Sequence, residues 1–136
     1  MNCKLILLVD DDTEDQELLE NALLKAKANA EIHAVSSGKQ ALDYLNNCER
    51  SKLPSLIVLD FNMPGLNGAE VLDKLSSEHR YKEIPKVVWT TSGSESLKKL
   101  CLEKGAVYHF RKAYSLNGIY DAAKQMLKIC ETGSPG

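Results

Sequence analysis

Polar side chains that could bind a metal ion and a phosphoryl group follow four short apolar segments of the chain. An aspartate triplet at positions 10–12 follows the first segment, and Asp60 follows another. The hydroxyl-rich Thr90-Thr91-Ser92 and the basic pair Arg111-Lys112 follow the other two. Carboxylates that are brought together repel one another unless a cation or protons intervene. The aspartates therefore predict a hard divalent metal ion with oxygen ligands.

The same groups predict phosphoryl chemistry. Magnesium suits the carboxylates because it takes few protein ligands and keeps several waters. The Thr90 hydroxyl and the Lys112 ammonium would face the same carboxylates. Metal, hydroxyl and ammonium together can bind the three equatorial oxygens that carry charge during in-line phosphoryl transfer. Asp60 is then the nucleophile that accepts the phosphoryl group.

Each of these features also has an ordinary structural explanation. Aspartates ahead of a helix often cap it, and a lysine after a strand is commonly surface charge. Asp60 could form a turn with Asn62, Pro64 and Gly65, which follow it. The functional interpretation is favoured because all four groups fall at one edge of the predicted sheet, whereas chance would scatter them between both edges.

The elements that position these groups alternate between short apolar and longer amphipathic segments. Five of each, with right-handed crossovers, predict a doubly wound α/β sandwich whose ligands bind beyond the carboxyl ends of the strands. The first helix is predicted to begin with a capping box of Thr13 and Gln16, and the last with a cap at Ser115. The predicted strands are Lys4–Asp10, Glu31–Val35, Leu56–Asp60, Lys86–Thr90 and Val107–Arg111. The other predicted helices are Lys39–Asn47, Ala69–Leu75, Glu95–Lys104 and Leu116–Ile129.

The composition fits one ordinary globular domain. The chain has 136 residues, 43% hydrophobic and 26% charged, which suffices for one core. The domain is predicted over residues 1–130, with a flexible tail over residues 131–136. The formal net charge of -2 provides no basic face for nucleic acid or an anionic membrane.

The cysteines and the start of the chain bear on location. Cys3, Cys48, Cys101 and Cys130 lie far apart, without a C-x-x-C pair, so reduced and partly buried thiols are expected. The start runs directly into a short apolar segment that ends in aspartates, and this is not a signal peptide with a cleavage site. A cytoplasmic location is therefore expected.

Four motifs, in order along the chain, resemble the receiver domain of two-component response regulators. They are ILLVDDD at Ile6–Asp12, LIVLDFNMPGLNG at Leu56–Gly68, PKVVWTTS at Pro85–Ser92 and GAVYHFRK at Gly105–Lys112. The D-x-N-M-P-x-x-x-G block is the most specific of them. The resemblance covers about the whole chain and implies a flavodoxin-like five-stranded parallel sheet with strand order 2-1-3-4-5.

The resemblance also implies a role for each site residue. Asp60 would take a phosphoryl group from a phosphohistidine on a sensor histidine kinase or a histidine phosphotransfer protein. Asp11 would bind magnesium directly and Asp10 mostly through water. Asp60 and the backbone carbonyl of Asn62 would complete the set of protein ligands.

The switch residues follow from the same resemblance. Thr90 corresponds to the hydroxyl that moves onto the phosphoryl oxygens, and Lys112 to the lysine that pairs with them. His109 stands where many relatives carry a rotating Tyr or Phe, and its alternative role is a strand residue partly exposed at the sheet edge. The chain departs from the family at Ala113, where a proline after a cis bond is usual; Lys112-Ala113 is either trans or strained, because a cis bond to alanine costs about 3 kcal/mol. Thr91 replaces a common alanine.

The expected output is a changed surface for protein binding, because no output domain follows the last predicted helix. The loop before the third strand and the Trp89-Thr90-Thr91-Ser92 sequence are similar to stand-alone receivers of the phytochrome-associated type, which often dimerise. One alternative is a degenerate receiver that acts as a phosphorylation-independent docking module. A phosphatase of the haloacid-dehalogenase type is disfavoured, because Asn62 replaces the acid that such an enzyme needs.

Overall fold

A sheet of five parallel strands forms the centre of the fold, and the computed structural model describes residues 3–135. The strands lie in the order β2-β1-β3-β4-β5, which confirms the predicted flavodoxin-like α/β fold. β1, β3 and β4 are buried almost throughout, which explains their nearly continuous apolar sequences. The bounds are β1 (Leu5–Val9), β2 (Glu31–Val35), β3 (Leu56–Leu59), β4 (Lys86–Thr90) and β5 (Tyr108–Arg111).

Helices follow all five strands, as predicted. Ser115 caps the last helix by accepting a hydrogen bond from the Gly118 N–H at 3.0 Å, which confirms that cap. The same helix continues to Thr132, into the segment expected to be a tail, and ends at Gly133 with φ 84°. None of the described helices is both long and apolar enough to cross a membrane. The bounds are α1 (Thr13–Ala26), α2 (Gly38–Asn47), α3 (Gly68–Ser77), α4 (Glu95–Glu103) and α5 (Leu116–Thr132), with a short 3-10 helix over Arg50–Lys52.

The start of α1 differs from the prediction. The N-cap is Asp12, whose side chain accepts a hydrogen bond from the Asp15 N–H at 3.1 Å. Gln16 points toward the sheet, where its amide donates to the Val35 carbonyl at 2.8 Å. The predicted capping box of Thr13 and Gln16 is therefore wrong, because Asp12 is the N-cap and Thr13 is already the first residue of the helix.

The helices cover both faces of the sheet, so the chain has two core layers. On one face α1 and α5 pack against Ile6 and Leu8, and on the other α2, α3 and α4 pack against Leu7 and Val9. Successive strand residues point to opposite faces, which places each strand in both layers. This arrangement leaves the carboxyl edge of the sheet free for a site.

A disulfide joins Cys3 to Cys130. The expectation that all cysteines are reduced is therefore wrong for this pair, while Cys48 and Cys101 are free. α5 runs antiparallel to the strands and ends beside the start of β1, where the two Cα atoms are 5.2 Å apart. The two cysteines are 127 residues apart in sequence, so the contact depends on the fold and could not be predicted from local sequence.

Reduction of this disulfide is expected to lower the free energy of unfolding by about 4–5 kcal/mol, because the bond closes a long loop and so restricts the unfolded chain. Urea denaturation with and without reductant measures the effect. A Cys3→Ala/Cys130→Ala variant should be insensitive to reductant, whereas Cys48→Ala should respond as the wild type does. Equal sensitivity of the double variant and the wild type would contradict the assignment.

Candidate functional site

Three residues of the predicted site directly follow a strand, and the backbone N–H of each still donates a hydrogen bond to the neighbouring strand. The N–H of Asp10 donates to the Val35 carbonyl at 3.1 Å, and the N–H of Asp60 donates to the Val9 carbonyl at 2.9 Å. The N–H of Lys112 donates to the Thr90 carbonyl at 2.7 Å. These bonds fix the backbone at the carboxyl edge of the sheet, and the side chains beyond it converge.

Three carboxylates meet at this edge. Asp10, Asp11 and Asp60 each place an oxygen within 4.8 Å of the other two. Asp10 is fully buried and Asp60 is 6% exposed, whereas Asp11 is open to solvent. Burial, with a smaller contribution from the charge of Asp60, raises the pKa of Asp10 to about 6, against the opposing effects of Lys112 and the Asp12 N–H. The close carboxylates therefore favour a bound cation.

The donor set fits a hard divalent ion. Asp10 Oδ2 is buried, and the Lys112 ammonium lies 2.8 Å from it. This one ammonium also faces Asp15 and Asp60, so its single positive charge does not balance the carboxylates, and a further cation is favoured. All the oxygens are of the type that Mg²⁺ and Mn²⁺ prefer, and the exposed Asp11 leaves the site open to water.

Lys112 supplies the positive charge of the site. Its ammonium lies 2.8 Å from Asp10 Oδ2, 2.8 Å from Asp15 Oδ2 and 3.5 Å from Asp60 Oδ2. The same nitrogen lies 4.8 Å from the centre of the Trp89 ring. Burial alone would lower the pKa of Lys112, but its contacts with Asp10 and Asp15 outweigh burial and raise that pKa above its usual value. Lys112 is therefore protonated at neutral pH.

Thr90 and Asn62 connect the third and fourth strands at the site. The Asn62 N–H donates to Asp60 Oδ1 at 3.2 Å, and the Asn62 side-chain amide donates to the Thr90 hydroxyl at 3.3 Å. Thr90 is fully buried. Asp60 thus has one oxygen held by its own loop and the other facing Lys112.

Gly68 allows the loop after Asp60 to pack closely. A Cβ at Gly68 would lie 2.7 Å from the Phe61 Cα and 3.1 Å from the Asp60 carbonyl oxygen. The Gly68 N–H donates to the Phe61 carbonyl at 3.2 Å, which closes the loop onto the start of α3. The glycine of the D-x-N-M-P-x-x-x-G block is therefore required by the approach of two backbone segments.

The Lys112-Ala113 peptide bond is trans, as are all other described peptide bonds. Of the two alternatives left open by the sequence, the trans loop is the one observed. The Ala113 methyl packs where a side chain at position 118 would stand, since a Cβ on Gly118 would lie 2.7 Å from the Ala113 Cβ.

His109 lies on β5 and is 8% exposed. The alternative that it is partly exposed at the sheet edge is therefore wrong. Its Nε2 is buried and has no hydrogen-bond partner among the described residues. Burial, chiefly, lowers its pKa, with a smaller contribution from Lys98 of α4. Its role as a switch stays a prediction.

The lowered pKa of His109 predicts a pH dependence of stability. The unfolded chain binds this proton near pH 6.5, whereas the folded protein binds it only at lower pH. Stability contributed by neutral His109 is complete above about pH 6.5 and is lost as the pH falls through the folded pKa. As the pH is lowered from about 7 to about 5, the urea midpoint of His109→Gln should therefore fall less steeply than that of the wild type. Parallel profiles would contradict this expectation.

The structure adds one charged residue that the sequence interpretation missed. Asp15 belongs to α1 and is 9% exposed, and its Oδ2 accepts a hydrogen bond from the Lys112 ammonium at 2.8 Å. The sequence did indicate this position, because Asp15, Leu19 and Leu23 are spaced four residues apart and so lie on one face of a helix. In the structure all three are buried. A carboxylate on the buried face of a helix requires a partner.

The sequence matches the family model described as response regulator receiver domain over residues 6–124. The response regulator Rcp1 of Synechocystis sp. is 37% identical over 95 residues, which cover 68% of this chain and 65% of Rcp1. The two-component response regulator ARR9 of Arabidopsis thaliana is 29% identical over 140 residues, which cover 90% of this chain and 59% of ARR9. The chain therefore spans only part of the length of these relatives.

Solved structures of similar proteins have the same fold. A crystal structure of the phosphorylated cyanobacterial phytochrome response regulator RcpA superimposes with a TM-score of 0.84 at 29% identity, covering 97% of this chain and 96% of RcpA. A crystal structure of the Mn²⁺-bound form of Rcp1 superimposes with a TM-score of 0.78 at 29% identity, covering 93% and 91%.

Proposed function

Because the chain belongs to the response regulator receiver domain family, we propose that it accepts a phosphoryl group on Asp60 and signals through changed protein binding. The phosphoryl donor is a sensor histidine kinase or a histidine phosphotransfer protein, and the reaction depends on Mg²⁺. One observation carries the proposal: Asp60 stands between two other carboxylates and the Lys112 ammonium, 3.5 Å from its Oδ2.

The residues that would hold the metal ion are Asp10, Asp11 and Asp60, through their carboxylates, and Asn62, through its backbone carbonyl. The Mn²⁺-bound form of Rcp1 supports a divalent ion in this family, and the cluster of Asp10, Asp11 and Asp60 supports it in this chain. Mg²⁺, when bound, would neutralise charge on the carboxylates and on the incoming phosphoryl oxygens.

Asp60, Lys112 and Thr90 carry out the transfer and bind the phosphoryl group. Asp60 Oδ2 attacks phosphorus, an O–P bond forms, and the P–N bond to the donor histidine breaks, leaving the electron pair on the imidazole nitrogen. The Lys112 ammonium then binds a phosphoryl oxygen, and the Thr90 hydroxyl turns from Asn62 to donate to another. The chain is an acceptor with its own phosphorylation and dephosphorylation chemistry, and not a turnover enzyme.

The signal would leave the site through Thr90 and His109. The phosphoryl group adds charge and acceptor oxygens, which draw Thr90 and its loop inward. His109 lies near Ser92, Glu95 and Lys98, so a shift of that loop changes the space in which its ring packs. The surface of α4, β5 and α5 then presents a different face to a downstream protein or to a second copy of the chain.

The likeness to RcpA and Rcp1 supports a place in a phytochrome-associated pathway. RcpA is described as a phytochrome response regulator in its phosphorylated form. We assign this chain to the same class of pathway, with a phytochrome-associated histidine kinase as phosphoryl donor and a cytoplasmic location.

Incubation with acetyl phosphate and Mg²⁺ tests the proposal. Intact-mass analysis should show one added phosphoryl group that EDTA prevents and hydroxylamine removes, since an acyl phosphate is labile to that nucleophile. A protein that stays unmodified with Mg²⁺ present would instead be a docking module independent of phosphorylation.

A further inference from the structure

Asp15 is a buried carboxylate of the site that the proposed chemistry does not use. We propose that Asp15 is a positioning residue for Lys112: it holds the ammonium from the α1 side, so that Lys112 can reach a phosphoryl group on Asp60. The inference rests on the proposed function, and it adds a residue of α1 to the machinery that binds the phosphoryl group.

The contacts of the Lys112 ammonium carry the inference. A lysine ammonium has three N–H donors. Asp15 Oδ2 accepts a hydrogen bond from it at 2.8 Å, and Asp10 Oδ2 lies at the same distance. Asp60 Oδ2 is further away, at 3.5 Å. Asp15 therefore holds the ammonium by one donor, and its other donors remain for Asp10 and for a phosphoryl group on Asp60.

Asp15 also balances the attraction of Asp10. Without Asp15, the fully buried Asp10 would be the nearest carboxylate to the ammonium and would draw Lys112 toward itself and away from Asp60. A lysine paired only with Asp10 would bind a phosphoryl group on Asp60 less well. Asp15 is itself not one of the described carboxylates that cluster for a metal, so its effect passes through Lys112.

The backbone beneath Asp15 is held firmly, as a positioning role requires. Its N–H donates to the Asp12 cap at 3.1 Å. The next residue, Gln16, ties α1 to the sheet through the Val35 carbonyl at 2.8 Å, and Leu19 and Leu23 are fully buried. The carboxylate of Asp15 is thus presented from a fixed helix turn, at little cost in conformational freedom.

A titration with beryllofluoride at saturating Mg²⁺ tests the proposal. Beryllofluoride mimics a phosphoryl group on aspartate, and the fluorescence of Trp89, the single tryptophan, reports binding beside Lys112. Asp15→Asn should weaken binding about tenfold to a hundredfold, the effect of losing one charge-assisted hydrogen bond. Glu14→Gln removes the same charge from an exposed position on the same turn and should change binding little.

A double-mutant cycle with Lys112→Met separates positioning from a purely structural role. Asp15→Asn should cause no further weakening in the Lys112→Met background. Equal weakening in both backgrounds, or unchanged binding in Asp15→Asn alone, would overturn the proposal. If Lys112→Met does not fold, the contrast between Asp15→Asn and Glu14→Gln decides.

The failure of the proposed function would be visible separately. A wild-type protein that binds no beryllofluoride and takes no phosphoryl group disproves the function. The same cycle measured by urea unfolding in EDTA then still tests the contact: Asp15 and Lys112 should be energetically coupled, and independent effects of the two substitutions would overturn the positioning role.

Discussion

Asp60→Asn is expected to abolish phosphoryl incorporation from acetyl phosphate while the protein stays folded. Asparagine keeps the shape of aspartate and can still accept the hydrogen bond from the Asn62 N–H, observed at 3.2 Å. An amide oxygen lacks the negative charge that makes the carboxylate a nucleophile at phosphorus. Intact-mass analysis after incubation with Mg²⁺ should therefore show the unmodified mass only.

The matched control for this prediction is Asp121→Asn, which removes an exposed carboxylate of α5 outside the site. That variant should accept the phosphoryl group as the wild type does. Asp60→Asn should also be at least as resistant to urea as the wild type in EDTA, because a buried carboxylate beside Asp10 is removed. Modification of Asp60→Asn to the wild-type extent would show that another residue is the acceptor.

The fold was predictable from the sequence because its strands are buried on both faces and read as apolar runs. The order of elements and four strand-end groups followed from that pattern, and the structure brings Asp10, Asp11, Asp60 and Lys112 together at one edge. Helix ends were predicted less well. At α5, the left-handed glycine lies beyond Thr132, so the polar segment before it extends the helix.

Features that depend on tertiary contact were not predictable from local pattern. The Cys3–Cys130 bond joins the two ends of the described chain, and neither neighbourhood in sequence indicates it. The burial of His109 depends on how α4 lies over the sheet. Asp15 is intermediate: its position on the buried face of α1 was visible, but its partner, Lys112, is 97 residues away.

Lys112→Met is expected to lower the free energy of unfolding by about 3–5 kcal/mol in EDTA at neutral pH, the cost of removing one partner from a buried ion pair. Methionine can occupy much of the same space beside Trp89. The substitution leaves Asp10, Asp15 and Asp60 without the ammonium that now lies within 3.5 Å of each of them. Urea denaturation followed by circular dichroism measures the loss.

Lys86→Met is the matched control, because Lys86 is also a buried lysine, 3% exposed, and its ammonium donates only to the Lys82 carbonyl at 3.2 Å. No described carboxylate lies within ion-pair distance of Lys86. Its replacement by an apolar side chain should change stability by less than about 1 kcal/mol. Equal losses in the two variants would mean that buried packing, and not charge, is responsible.

Two conditions should restore part of the stability that the Lys112→Met variant loses. On the proposed function, Mg²⁺ would bind the folded state and supply the missing positive charge, so it should stabilise the variant more than the wild type. Lower pH should also reduce the difference in the free energy of unfolding between the variant and the wild type. The pKa of Asp10 is already raised to about 6 by burial, and without Lys112 it rises further, so the folded variant takes up protons that the unfolded chain does not. Stability of the variant is therefore lost as the pH rises from about 4 toward neutrality, and a constant deficit across that range would refute the electrostatic account.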